Sequence, residues 1–522
     1  MTLMLTLGTA AFGAQKTLPS GKDTGSINVT NLKPGDTVTA YQFVKADYNE
    51  YGFTGYSAIN NYVKDPVAPT AQEVIDMASN AATMTVAAEK KVATGDTEVT
   101  LNGLPVGYYL VMVTSGSETV YSPMIAGIYY SKSATDNTLT NGAISADSDF
   151  EIKAQKCWAK SSTPKLEKTI VTPSSKNSKG DDIAIGDKIT FNLSATVPSY
   201  SKEYKKVTYK IYDIMSEGLD YVDGSMKCFI EKYENNRENI KVAPKVNGGI
   251  IEITFDSKFI LEHPGQKIQV EYQAKLNEKA GVNFDANINK AYLEYSNNPA
   301  SGSTAKTGED KVYVYTFGID SNLFGKSTEK WNGKTKELIK VEEGEYQWVE
   351  TEKESGIFTT TTALEGATFT LTNNKTKKSY TATSDKYGYL KFTGLDAGEY
   401  TLQETDAPDG FTLNDAKHTV VITAEYNQDG TLKSYTIKID DKATSTYTAT
   451  YDKGVIKTIT STKDSQGNIS ESAILKNSKM SFLPSTGGVG TTIFAIVGVV
   501  FVAVALGLHM ILRGKSKLEQ DR

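Results

Sequence analysis

Val207-Thr-Tyr209-Lys-Ile211-Tyr-Asp213-Ile-Met-Ser-Glu-Gly218-Leu-Asp-Tyr221 alternates apolar and polar side chains over its first seven residues, then turns at a glycine. Side chains repeat every second residue along a strand, so Val207, Tyr209, Ile211 and Asp213 share one face. Leu166, Lys168 and Ile170 alternate in the same way, as do Leu293, Tyr295 and Asn297. Each of these three strands sets one polar group into an apolar stripe. That is costly unless the polar groups meet one another.

The same short alternating runs, separated by Gly, Asn and Asp turns, recur along most of the chain, with 30 tyrosines and many threonines. They predict an all-β protein built of tandem β-sandwiches. One helix stands out: Thr70-Ala-Gln-Glu73 forms a capping box ahead of Val74, Ile75, Met77 and Ala78. Ser161–Pro164 reads as a linker and Asn297–Asp310 as a flexible stretch approaching another. The chain therefore divides near 160 and 318, giving domains over 15–160, 161–318 and 319–480.

Bulk properties narrow the function. With 522 residues, 39% hydrophobic and 23% charged, the chain can bury several cores. A formal net charge of −6 argues against nucleic acid as a partner. The two cysteines, Cys157 and Cys228, lie far apart, so disulfides are not its main stabiliser. With only His263, His418 and His509, and no metal cluster, phosphate loop or nucleophile–base pair, the sequence implies no enzyme, metal or cofactor.

Both ends carry targeting information. The apolar run at residues 3–12, followed by Gly13 and Ala14, reads as a signal peptide over 1–14 that lacks its basic start. Thr491–Leu512 holds 22 residues without a formal charge, enough to cross a bilayer core of roughly 30 Å as a helix. Arg513, Lys515, Lys517 and Arg522 follow it, as the positive-inside rule expects of a cytoplasmic tail. Just before the apolar run stand Leu483, Pro484, Ser485, Thr486 and Gly487. The 481–522 tail thus resembles an LPxTG cell-wall sorting signal. The resemblance implies that a sortase cysteine attacks the Thr486 carbonyl and releases Gly487 onward.

A second resemblance lies in Tyr400-Thr-Leu-Gln-Glu404-Thr-Asp-Ala-Pro-Asp-Gly410-Phe, which is similar to the E-box of Gram-positive pilins and collagen-adhesin B-type domains. Leu364-Glu-Gly-Ala-Thr-Phe369 and Phe392-Thr-Gly-Leu-Asp-Ala-Gly398 fit the same family. That family folds as an immunoglobulin-like sandwich closed by an internal Lys–Asn isopeptide bond. The residues suit the chemistry. Tyr400, Leu402 and Glu404 share a face, and burial favours a protonated acid and a neutral, nucleophilic amine. Ala473, Leu475 and Asn477 share another face, making Asn477 the expected acceptor. Leu323 occupies the family's lysine position after Tyr315-Thr-Phe-Gly-Ile-Asp320, so Lys326 is the nearest donor and requires a bulge or shifted register. The middle stretch resembles the A-type collagen-adhesin domain, where lysine, acid and asparagine follow in that order. Carried over, these are Lys168, Asp213 and Asn297, with Asn298 and Asn289 as alternative acceptors.

Together these signatures, with Gly25-Ser-Ile-Asn-Val-Thr-Asn-Leu32 near the start, resemble the sortase-assembled major, or backbone, pilins. The resemblance implies a wall-anchored subunit of a covalent surface pilus. Its partners would be pilus-specific and housekeeping sortases, identical subunits, a peptidoglycan precursor, and minor pilins or a host ligand. A monomeric wall-anchored adhesin is the alternative. The family's Tyr-Pro-Lys polymerisation motif is absent; Lys156-Cys-Trp158-Ala-Lys160-Ser stands in its place. Lys160 is the expected linking lysine and Lys156 the second choice.

Overall fold

In the computed structural model, residues 18–476 are described except 116–117, 132–141, 145–149, 172–176, 234–235, 320–323, 328–335, 343–344, 351–363, 387, 441–442 and 463–472. The signal-peptide stretch, Asn477, the LPxTG motif and the expected membrane helix at 491–512 lie outside the described residues. Among the described residues no helix is long and apolar enough to cross a membrane.

Alternation becomes sheet throughout. In the first region a sheet ordered Gly52–Ala58, Thr37–Asn49, Gly107–Thr114, Met124–Ser131 and Glu151–Ala154 faces a smaller one of Cys157–Trp158, Thr24–Thr30 and Glu98–Pro105. Ile27, Val29, Val38, Tyr109, Val111 and Ile128 fill the space between them. The expected helix spans Ala71–Ser79. Thr70 caps it and Glu73 returns the capping-box bond, while Ile75, Met77 and Ala78 are buried.

The second region is a sandwich of two sheets. One runs Leu166–Ile170, Lys188–Thr196, Lys267–Leu276, Lys227–Tyr233 and Asn236–Ile240. The other runs Gly180–Asp182, Asp310–Tyr315, Asn287–Asn298, Tyr209–Met215, Ile250–Thr254 and Lys245–Asn247. The inward residues, Phe191, Leu193, Ile211, Ile251, Val270, Leu293 and Val312 among them, are fully buried. Two connecting stretches prove more ordered than their composition suggests. Ser161–Ser162 pairs with Val120–Tyr121, and Ser303–Lys306 folds back on Asn287–Asn298 as a hairpin.

In the third region seven strands form one sheet, from Ser379–Thr383 at one edge to Val455–Thr462 at the other. Phe324–Ser327 runs parallel to Ala473–Lys476 in a separate pair. The core gathers Phe369, Leu371, Leu390, Phe392, Tyr400 and Leu402 with Phe317 and Ile319.

Neighbouring regions are laced together. Tyr295 donates its hydroxyl to the Glu118 carbonyl, and Ile75 and Val120 join the second core. Between the second and third regions, Asp182 accepts from the Ala397 amide at 2.5 Å and from the Tyr426 hydroxyl at 2.5 Å. Lys378 reaches back to the Ile185 carbonyl at 2.6 Å and to Asp187 at 3.0 Å.

Candidate functional site

Two of the three polar groups set into the apolar stripes of the second region, Lys168 and Asp213, do meet. Leu166–Ile170 is an edge strand held antiparallel to Lys188–Thr196, so Lys168 points across the sandwich toward the opposite sheet. There, Tyr209–Met215 presents Asp213 on its inward face, beside the Asn287–Asn298 strand. Lys168 and Asp213 are both 0% exposed, and the Lys168 side-chain nitrogen donates to Asp213 Oδ2. The same nitrogen donates to the Tyr272 hydroxyl at 3.1 Å and lies 5.0 Å from the Phe191 ring centroid.

The lysine is clamped at its backbone as well. Its amide donates to Asp310 at 2.7 Å, its carbonyl accepts from Lys179 Nζ at 2.6 Å, and Lys179 pairs with Asp310 at 2.6 Å. The clamp fixes where the Lys168 side chain enters the core.

Burial governs the electrostatics. It pushes the Lys168 amine below the ordinary lysine range, against the opposing pull of Asp213. It raises the Asp213 carboxyl, against Lys168 and a Tyr272 hydrogen bond. Both shifts favour a neutral amine beside a protonated acid, because charge is costly where water is absent.

Asn297, expected to complete the group, does not reach it. That residue is half-buried at the far end of its strand, where its Oδ1 accepts from Ser303 Oγ at 2.8 Å. The register slips between Ser296 and Asn298, and Ser296 is buried directly after Tyr295. This bulge ends the period-two alternation and turns Asn297 away from the core. Asn298 serves the following turn, accepting from the Ala300 amide at 3.2 Å. Asn289 instead lies on the inward face with Ala291, Leu293 and Tyr295, 0% exposed, and donates to the Tyr272 hydroxyl at 2.7 Å. Asn289 Oδ1 and Asp213 Oδ1 are buried without a hydrogen-bond partner. Reading the alternation backward from Tyr295 rather than forward finds Asn289. Neighbouring Asn287, also inward, is fully occupied by Gly281 and the Val314 carbonyl.

In the third region Glu404 is buried at 2% exposure on Gly398–Asp406, beside Tyr400 and Leu402. Its Oε2 accepts from the Asn414 amide at 2.7 Å. Lys326 falls within Phe324–Ser327, in register with buried Leu475 on the parallel strand Ala473–Lys476. Asn477 follows directly after that strand, outside the described residues.

At the junction of the first and second regions, Lys156 and Lys160 are exposed and Trp158 is 70% exposed. The backbone there is fixed rather than loose. Cys157–Trp158 runs parallel to Thr24–Thr30, and the Lys160 carbonyl accepts from Ser122 at 3.0 Å. Cys157 and Cys228 are free and buried, their thiols pushed up by burial to about 11 and about 12. Among the described residues no cluster of His, Cys, Asp and Glu could hold a metal.

Comparison with known proteins agrees with this architecture. Residues 22–161 match the T6 antigen Ig-like domain, 357–437 a prealbumin-like fold domain, and 476–517 the LPXTG cell wall anchor motif. The chain is 27% identical to the trypsin-resistant surface T6 protein of Streptococcus pyogenes serotype M6, over 95% of this chain and 96% of that one. It superposes on the solved T6 backbone pilin of serotype M6 Streptococcus pyogenes with a TM-score of 0.60 and 20% identity, covering 89% of this chain and all of that one. The full-length major pilin SpaD of Corynebacterium diphtheriae gives a TM-score of 0.48 at 16% identity, covering 89% of this chain and 99% of that one. The chain is a homologue of the T6 surface protein, shares the fold of the T6 backbone pilin and carries an LPXTG cell wall anchor motif.

Proposed function

We propose that this pilus subunit hardens itself with internal Lys–Asn isopeptide bonds and works as a structural polymer unit rather than an enzyme. The observation that carries this reading is the gathering of three fully buried groups: Lys168 is bonded to Asp213, Lys168 and Asn289 both reach the Tyr272 hydroxyl, and one oxygen each of Asp213 and Asn289 is left without a partner. A neutral Lys168 amine attacks Asn289 Cγ while the protonated Asp213 donates to the Asn289 carbonyl oxygen. A carbon–nitrogen bond forms, and the surplus proton of the attacking nitrogen passes to Asn289 Nδ2. That carbon–nitrogen bond breaks and ammonia leaves, while the carbonyl oxygen returns its proton to Asp213. In the third domain, Lys326, Glu404 and Asn477 take the same three roles. The domains are 15–160, 161–318 and 319–480.

Mass spectrometry tests the cross-links directly. Each of the two later domains should weigh about 17 Da less than its sequence, one ammonia. A digest should yield one branched peptide containing Lys168 and Asn289. Full sequence mass in either domain rejects the reading for that domain.

Between subunits, a pilus-specific sortase joins Thr486 of one chain to Lys160 of the next, and a housekeeping sortase passes the finished polymer to a peptidoglycan precursor. Lys160 suits this chemistry because its amine is exposed on a fixed backbone, beside the exposed Trp158 ring against which a neighbour can dock. Wall extracts should show a ladder of covalent multimers that Lys160→Ala collapses while wall attachment persists. A ladder lost only in Lys156→Ala moves the linkage to Lys156. No ladder in wild type identifies a single wall-anchored adhesin instead.

A further inference from the structure

Beyond the lysine, acid and asparagine, one more functional group touches both reacting nitrogens. Tyr272 stands on Lys267–Leu276, directly opposite Phe191 on the neighbouring strand. Its ring is fixed between Phe191 at 5.5 Å and Tyr221 at 5.9 Å between centroids, and the residue is 1% exposed. Its hydroxyl oxygen receives Lys168 Nζ at 3.1 Å and Asn289 Nδ2 at 2.7 Å. A single oxygen thus bridges the attacking nitrogen and the departing one, in a site that no water needs to enter.

We propose that the Tyr272 hydroxyl is a catalytic proton relay for isopeptide formation between Lys168 and Asn289. This rests on the cross-linking reading above and deepens it. When the amine adds to Asn289 Cγ, the attacking nitrogen carries one proton too many and the departing nitrogen one too few. The Tyr272 oxygen accepts the surplus proton from Lys168 Nζ while its own proton passes to Asn289 Nδ2. The carbon–nitrogen bond to Nδ2 then breaks and ammonia departs. Tyr272 ends as it began, a neutral phenol, so the step balances without a co-reactant. Burial holds the phenol well above its ordinary range, which keeps it protonated and able to donate. Before reaction the Tyr272 hydroxyl also bonds to Asp213, and its proton turns to Nδ2 as that nitrogen becomes tetrahedral and basic. Asp213 gives its own proton to the carbonyl oxygen and takes it back as the carbonyl re-forms. It cannot easily serve the leaving nitrogen as well, since its Oδ2 is engaged by the amine.

The test is a time course on the full chain made by cell-free synthesis and quenched at intervals, following the branched Lys168–Asn289 peptide by mass. Tyr272→Phe removes one oxygen and keeps the ring packing. Phe191→Leu disturbs the same packing and keeps the hydroxyl. A relay predicts that Tyr272→Phe slows ligation by about 100-fold, within the usual range for positioned acid–base groups. It also predicts that Phe191→Leu slows ligation at least about tenfold less than Tyr272→Phe does. Tyr272→Phe that ligates no more slowly than Phe191→Leu overturns the relay. Should Tyr272→Phe fail to fold by near-ultraviolet circular dichroism, 3-fluorotyrosine placed at position 272 during the cell-free synthesis decides: a changed ligation rate supports a relay through this phenol, and an unchanged rate overturns it. A wild type that never forms the branched peptide rejects the cross-link itself, a separate outcome from loss of the relay.

Discussion

The first and second regions each bury an aspartate completely, yet the two carboxyls live differently. Asp36 is 0% exposed and both its oxygens are taken. Oδ2 accepts from the Lys33 amide at 2.8 Å and the Tyr121 hydroxyl at 2.6 Å, and Oδ1 from Ser115 at 3.1 Å. Lys33 sends its own amine elsewhere, to Thr119 at 2.6 Å and Thr163 at 3.0 Å, on an exposed side chain. Asp213 has a buried lysine on one oxygen and nothing on the other. Burial alone therefore does not mark chemistry. A carboxyl whose hydrogen-bonding capacity is filled by neutral donors is a girder. One left half-satisfied beside a buried amine and amide is a reagent in waiting.

The widest separation between the two should come from alanine at each site. Asp213→Ala should leave Lys168 buried without its partner and prevent the cross-link, lowering the second region's stability by about 5 kcal/mol or more. Asp36→Ala should cost about 1–3 kcal/mol, the price of orphaned donors, and change no mass beyond the substitution itself. Calorimetric scans of the full chain, paired with intact mass, check both. Equal losses would erase the distinction drawn between the two carboxyls.

Asparagines sharpen the comparison within one strand. Asn289→Ala should restore full sequence mass in the second region. It should also remove the stabilisation gained by closing a loop of about 120 residues, on the order of 5 kcal/mol by the chain-entropy estimate. Asn297→Ala should keep the cross-link and cost about 1 kcal/mol or less, since it loses only a turn hydrogen bond to Ser303. The reverse pattern would return the acceptor to Asn297.

A third carboxyl gives a smaller effect than loss of the cross-link. Asp182 joins the second and third regions, and burial raises it to about 6, opposed by the Tyr426 hydroxyl and the Ala397 amide and reinforced by Asp181 and Asp396. A raised carboxyl favours folding most when protonated. The contribution is fully present below the ordinary carboxylate range, near pH 4, and fades as pH rises through about 6. The junction should therefore be about 1–2 kcal/mol more stable at pH 4.5 than at pH 7.5, and Asp182→Asn should flatten that difference. Hydrogen exchange at Ala397 measures it.

How much of this was legible in the sequence follows from how local each signal is. Alternation in Leu166–Ile170 and Tyr209–Met215 is written in adjacent residues, so the strands, their inward faces, Lys168 and Asp213 could all be read directly. Thr70 and Glu73 announce the helix for the same reason. Asn297 misled because a bulge at Ser296 depends on how Ser303–Lys306 folds back, which no alternating pattern encodes. Tyr272 was illegible as a functional residue. One inward tyrosine among many acquires meaning only when two other strands bring an amine and an amide to its oxygen. The tight strand pairing around Lys160 was hidden likewise, since Ser161-Ser-Thr-Pro164 has the composition of a linker.

The positions of Lys168 and Asn289 bear finally on tension. With subunits joined end to end as proposed, force along the polymer would enter this region near Leu166 and leave near Tyr315, through strands close to the two ends of its sequence. A covalent bond from Lys168 to Asn289 would pass that force from the entering strand to the strand that pairs Asn289 with Val312 and Asn287 with Val314. The roughly 120 residues between would carry none of it. At about 3.4 Å per extended residue, some 400 Å of slack is locked away from the pull. The domain would then behave under load less like a spring than like a short link of chain.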